Sequence, residues 1–176
     1  MTDVSVGGRQ LHKAVTVHAT PKAAWEAWAT EAGLETFLAP KARVDLRPGG
    51  AYEPLFDLDA PEGSRGGEGL TVLGFVPGRF LSFTWNAPPE FPHVRSLGGV
   101  SWIALAFSAR PNDRTHVELW HLGWGTGAEW DKVFEYFQLA WDLVLFRFHE
   151  RFASGPIDWA KPVRPPPGWS ANVPGG

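Results

Sequence analysis

Leu11-His12-Lys13-Ala14-Val15-Thr16-Val17-His18 alternates apolar and polar positions with period two. Leu11, Val15 and Val17 share one side and His12, Thr16 and His18 the other, which predicts a half-buried strand. Thr20-Pro21 then supplies a side-chain cap and a proline suited to a first helical turn. Ala24, Trp25 and Trp28 follow at helical spacing, predicting a short helix that Thr30 and Gly33 interrupt. A second short helix is expected over 34–38, ending at Pro40. Alternation returns over 42–47, 51–58, 70–76, 79–85, 101–109 and 115–122, with Pro48-Gly49-Gly50, Pro77-Gly78 and Pro111-Asn112-Asp113 as turns between strands. Two longer segments, 57–69 and 86–99, lack periodicity and are rich in Gly or Pro, so loops are expected there.

From Gly127 the period becomes 3.6. Trp130, Val133, Phe134, Phe137, Trp141, Val144, Leu145, Phe148 and Phe152 fall on one stripe. A helix over 129–152 would be about 36 Å long. Gly155-Pro156 ends it, and residues 155–176 carry six Pro and two Trp without helix or strand pattern. The order is strand, two short helices, six strands, one long helix. Antiparallel strands with helices segregated to one face make an α+β fold, and a long amphipathic helix needs a concave apolar surface to lie on. A curved antiparallel sheet of six to seven strands, wrapped around the C-terminal helix, meets that need. The boundaries expected are an N-terminal extension over 1–10, one domain over 11–154 and a Pro-rich tail over 155–176.

Composition narrows the possibilities. The 176 residues suit one domain, and Lys plus Arg at 16 against Asp plus Glu at 19 leaves a net charge of −3. That balance provides no basic stripe for nucleic acid. The absence of Cys removes disulfides, thiolate nucleophiles and Cys-ligated zinc, and fits a reducing compartment. With no long apolar run and no secretory leader pattern, neither a membrane span nor export is expected, and cytoplasm is the expected location. Aromatic residues make up 14% of the chain, with 10 Trp and 12 Phe. That many large rings in a curved sheet favours a cavity between sheet and helix.

The ordered set of motifs resembles the SRPBCC superfamily, which has the helix-grip fold. Within it the chain is most similar to stand-alone proteins related to the C-terminal domain of activators of the heat-shock protein 90 ATPase. The residues that carry this are Val17-His18-Ala19-Thr20-Pro21 with Ala24-Trp25 and Trp28, Pro48-Gly49-Gly50 entering a strand, Thr84-Trp85 closing one, and Thr115 to Trp124 leading into the helix of Trp130 and Trp141. The likeness spans roughly residues 10–153. It implies a cavity between the concave sheet face and the long helix, used across the superfamily for ligand binding, cyclisation, hydrolysis or co-chaperone contacts. The chaperone activators engage their partner through a further N-terminal domain that these 176 residues do not contain.

Alternation nominates the cavity's wall: Tyr52, Phe56, Phe83 and Trp85; Ile103 and Leu105; Val117, Leu119 and His121; and, from the helix, Val133, Phe137 and Trp141. His121 is the polar member, inward in register with Val117 and Leu119, and is expected to orient a ligand or serve as an acid–base group; the plainer alternative is a core histidine satisfied by a backbone carbonyl. His18 and His116 fall on the outward side and are expected in solvent, and His93 sits in a loop. Asp57, Asp59 and Glu62 lack the EF-hand pattern, so a solvated turn is expected rather than a calcium site. Gly66-Gly67-Glu68-Gly69 has neither the Lys nor the strand-to-helix setting of a phosphate loop. No Gly-x-Ser-x-Gly marks a nucleophile, no metal or cofactor site is expected, and no catalytic residue is nominated. The reading placed first is a domain binding a small apolar or amphipathic molecule; a protein-interaction module comes second and a cyclase- or hydrolase-like enzyme third. On the long helix, Tyr136, Leu139, Leu143 and Phe146 form a second apolar row, which the tail, through Trp159 and Trp169, or a second subunit in a homodimer, is expected to cover.

Overall fold

The computed structural model describes residues 8–171. Residues 1–7 of the N-terminal extension and 172–176 of the tail lie outside the described residues. The chain runs β1 (Leu11–Val17), α1 (Pro21–Ala29), α2 (Glu31–Leu34), β2 (Lys41–Val44), β3 (Tyr52–Leu55), β4 (Val72–Val76), β5 (Phe80–Trp85), α3 (Pro92–Ser96), β6 (Ser101–Arg110), β7 (Arg114–Leu122) and α4 (Ala128–Ser154). This is the expected α+β order, with three adjustments. The second short helix begins one turn early, because the Thr30 Oγ1 accepts from Gly33 N at 3.0 Å and caps it. The Pro-rich loop contains the single turn α3. The strands form two sheets, an antiparallel five-stranded one in the order β1-β7-β6-β5-β4 and the hairpin β2-β3.

The hairpin is nearly a continuation of the larger sheet. Ala51 bridges to Thr71, Tyr52 N donates to Leu70 O at 2.8 Å, and Gly49 N donates to Val72 O at 2.8 Å. Its entry is a tight turn in which Gly50 N returns to Arg47 O at 2.8 Å, with Pro48 first and Gly49, at φ 80°, second. That positive φ is what requires glycine there. Tyr52 fastens the hairpin to the core. Its ring stacks on Phe83 at 3.9 Å and its hydroxyl donates to Trp28 O at 2.8 Å, satisfying a carbonyl at the open end of α1.

The core lies between the sheet's concave side and the helices. Registers Phe83↔Ile103, Ile103↔His121 and Leu105↔Leu119 put the predicted inward residues side by side, all of them buried. Trp28 fills the space beneath α1, against Phe37 at 4.8 Å and Phe148 at 5.5 Å. The helix α4 leans towards the β1 edge. There Lys13, which shares the inward side of β1 with Val15 and Val17, reaches Asp142 at 2.8 Å. Asp142 is accordingly buried. His18 is exposed as expected, but His116 is buried, held by Thr16 Oγ1 at 3.1 Å on the convex side.

The tail covers part of α4's second apolar row. Ile157 is buried and its N–H donates to Thr36 O at 2.9 Å. Trp159 Nε1 donates to Glu35 O at 2.7 Å, Trp169 meets Phe146 edge-on at 5.2 Å, and Ala171 N donates to Asp142 Oδ1 at 2.9 Å. Leu139, at the other end of the row, stays 75% exposed. No described helix is long and apolar enough to cross a membrane.

Ending the chain after Ser154 exposes Phe146 and removes Ile157, Trp159 and Trp169, so unfolding free energy is expected to fall by about 3–5 kcal/mol. Urea denaturation of the full and shortened chains measures this; a loss below about 1 kcal/mol would show that the tail contributes no packing of consequence.

Candidate functional site

The side of α4 turned away from β1 is not covered by sheet. Two loops approach it instead, 56–66 and 86–95, and between them lies a half-open cleft of about 440 Å³. Tyr136, Ala140, Leu143, Val144 and Arg147 come from α4 at positions i, i+4, i+7, i+8 and i+11, one continuous stripe beside the core stripe. Trp85, Phe137 and Trp141 make the floor, Leu38 closes one end, and Phe56, Asp57, Arg65, Asn86, Pro88 and Glu90 are among the loop residues opposite.

Arg95 latches the loops to each other. Its Nη1 donates to Ala87 O at 2.6 Å, and its Nη2 donates to Gly63 O at 2.6 Å and Gly66 O at 3.0 Å. Val94 N donates to Glu129 Oε2 at 2.6 Å, which ties α3 to the first turn of α4. The Gly-rich turn is filled from within: the Glu68 carboxylate accepts from Gly63 N at 2.7 Å, Arg65 N at 3.0 Å and Gly66 N at 3.1 Å. Those amides have no capacity left for a phosphate. Any Cβ at Gly67 would sit 2.7 Å from Pro54 Cδ, so glycine here reflects close packing. Asp57 Oδ1 accepts from Asp59 N at 3.1 Å in an Asx turn.

Of the twelve residues nominated from alternation, Phe56, Trp85, Phe137 and Trp141 line the cleft. The other eight do not. Tyr52, Phe83, Ile103, Leu105, Val117, Leu119, His121 and Val133 are buried in the core behind it. The physical reason is ring volume: Phe83 packs between Tyr52 and Trp85, and Trp85 meets Trp141 at 5.2 Å, so aromatic rings fill the space that a deeper cavity would occupy.

His121 lies deeper than the cleft wall. It is fully buried beneath the cleft floor and held by side chains, rather than by the backbone carbonyl considered from sequence. Trp141 Nε1 donates to its Nδ1 at 3.1 Å, and its Nε2 lies 3.0 Å from Ser101 Oγ, which in turn donates to Trp85 O at 3.1 Å. An indole N–H can only donate, so Nδ1 is unprotonated and the proton sits on Nε2. Both nitrogens are occupied, and burial pushes the pKa down to about 3. This ring is a neutral link between α4, β6 and β7 and is not among the residues lining the cleft.

Sequence reasoning missed Arg147, the loop residues other than Phe56, and Ser101. Arg147 was legible in principle, since it extends the stripe of Tyr136, Ala140 and Leu143. The loops carry no period that could place them.

Residues 18–153 match the family model described as activator of Hsp90 ATPase homolog 1-like protein. No curated protein matches the chain. Among solved structures, the Aha1 dimer from Colwellia psychrerythraea aligns with TM-score 0.63 at 15% identity, over 84% of this chain and 98% of that one. A Staphylococcus saprophyticus protein aligns with TM-score 0.62 at 13% identity over 85% and 96%, and an AHSA1-like protein from Rhizobium etli with TM-score 0.59 at 16% over 89% and 90%. At these identities the likeness is one of fold.

The buried histidine sets a pH dependence. The unfolded chain takes up a proton as pH falls through the ordinary histidine value of about 6.5, whereas the folded chain resists until about 3. Stability present above pH 6.5 is therefore lost on acidification, with a slope of about 1.4 kcal/mol per pH unit from this group. A His121→Gln variant is expected to be less stable at neutral pH and to lose less between about pH 6 and pH 4 than the wild type does. Urea titrations across that range measure it, and parallel slopes for the two proteins would contradict the assignment.

Proposed function

The chain belongs to the activator of Hsp90 ATPase homolog 1-like family of the SRPBCC superfamily, and from that premise we propose that it binds a small apolar or amphipathic molecule in the cleft beside α4. The family and fold accommodate a ligand-binding or interaction domain in general. The observation that favours a small ligand here is the cleft itself: about 440 Å³, with an aromatic floor of Trp85, Phe137 and Trp141 and a largely apolar helical wall. That volume lies within the range in which proteins hold small molecules. The ring edges at the floor offer contact area without a reactive group, because the histidine below them is already spent on its two partners. The eight core residues nominated from sequence act on this reading as a second layer that fixes the floor. The balanced charge and the lack of Cys favour a cytoplasmic setting and a partner other than nucleic acid.

A second reading, self-association, is favoured by the 75% exposure of Leu139 next to half-exposed Tyr136 on α4. A relative of the same fold is a dimer in solution.

The neutral fluorophore phenylnaphthylamine tests the first reading. Its emission is expected to rise and saturate with the wild type, and Ala140→Trp, which fills the cleft from α4, is expected to weaken binding at least tenfold. Equal binding by the two proteins, or none by the wild type, would reject the cleft as the site. Light scattering on the same samples decides the second reading: twice the chain mass supports a dimer, and a single chain mass rejects it.

A further inference from the structure

The cleft's charged groups are unequally committed. Arg95 spends its guanidinium on three backbone carbonyls and sits 3.6 Å from Glu68. Arg65, in the loop opposite, donates its Nε to Ala60 O at 3.0 Å, and Arg147 is the one cation on the α4 wall. Its Nε donates to Val163 O at 3.1 Å and its plane is covered by the Trp159 ring at 5.5 Å, so the tail fixes the group in place. Among the described residues no carboxylate forms an ion pair with it, and neither terminal nitrogen has a hydrogen-bond acceptor. Burial, and after it the like charge of Arg164, lower its pKa. This guanidinium stands half-buried in an otherwise apolar wall, with both terminal nitrogens unspent and open to an oxyanion.

The opposite end of the cleft has the reverse character. Tyr136 and Glu90 both line it there, eleven residues and about 16 Å along α4 from Arg147, and burial, followed by the Glu90 carboxylate, raises the Tyr136 pKa. Asp57, the other lining carboxylate, is exposed and belongs to its own turn. Between the two ends lie Phe137, Ala140 and Trp141.

We infer that Arg147 is an anion-recognising residue, and that the molecule taken by the cleft is an amphipathic monoanion: an apolar, ring-bearing body over Trp141 and Phe137, with one terminal oxyanion on the Arg147 guanidinium. This rests on the cleft reading above and narrows it to a ligand class. The planar fork, already oriented by Trp159 and the Val163 carbonyl, suits two-point contact with a carboxylate-like group. The tail thereby gains a role in the site, because it holds the residue that selects charge.

Two probes with the same aromatic skeleton separate this inference from the reading it rests on. Anilinonaphthalene sulfonate carries an anion that the neutral phenylnaphthylamine lacks. The wild type is expected to bind the sulfonate roughly tenfold more tightly. Arg147→Met, which keeps the stem's packing on Trp159, is expected to abolish that preference while leaving the neutral probe within about twofold, and Arg147→Lys is expected to keep part of it. Unchanged neutral-probe binding also shows that the variant is folded. Equal affinities of the wild type for both probes, or a preference that survives in Arg147→Met, would overturn the inference and leave the cleft reading standing. Binding of neither probe to the wild type would overturn both.

Discussion

One hydrogen bond between helix and sheet, from Trp141 Nε1 to His121 Nδ1, fixes the rest of the site. It crosses the interface that every helix-on-sheet domain must seal, and does so with two polar atoms in a fully apolar setting. Unpaired, each would carry a desolvation cost of about 1–3 kcal/mol; paired, they set the depth and rotation of α4 on the sheet. The chain continues through Ser101 to Trp85 O, so the two tryptophans of the cleft floor are joined by one polar thread under it. A neutral histidine serves here where an ion would not, because it donates from one nitrogen and accepts at the other without bringing a charge into the core.

The cleft is a consequence of how α4 is seated. Lys13 and Asp142 draw the helix to the β1 edge, and the core stripe is satisfied there. The other flank of the helix is left facing loops, which Arg95 and Glu68 brace from behind. Loops cannot fill space as a sheet does, since their backbone groups need hydrogen bonds and they keep to the surface. The tail packs beside the helix through Trp159 and Trp169, and Asp142 serves both the β1 contact and the tail's Ala171 amide. Seating of the helix, opening of the cleft and docking of the tail thus share one buried carboxylate.

The fold was legible because its elements have clean periods. Leu81, Phe83 and Trp85, or Val117, Leu119 and His121, alternate so regularly that face and order follow from the chain. The separation of β2-β3 from the main sheet was not legible, because it depends on a register between distant segments around Gly49 and Tyr52. The turn of α3 was hidden in a Pro-rich run too short to show a helical period. Alternation also cannot distinguish an inward residue that fills space from one that borders it. Phe83 and Trp85 look alike in sequence, yet only Trp85 reaches the cleft, because Tyr52 stacks over Phe83 from another strand. Lys13 shows the converse: a charge on the inward side of β1 that reads as an exception until its partner on α4 is seen.

Nitrogen chemical shifts of the His121 imidazole, followed by NMR from about pH 7 to pH 4, test the central link most directly. A ring held between Trp141 and Ser101 is expected to show one protonated Nε2 and one bare Nδ1, constant over the whole range while the protein stays folded, because its folded pKa is pushed down to about 3. Averaged shifts that titrate near the ordinary histidine value of about 6.5 would show a solvated, mobile ring and contradict the link between α4 and the sheet.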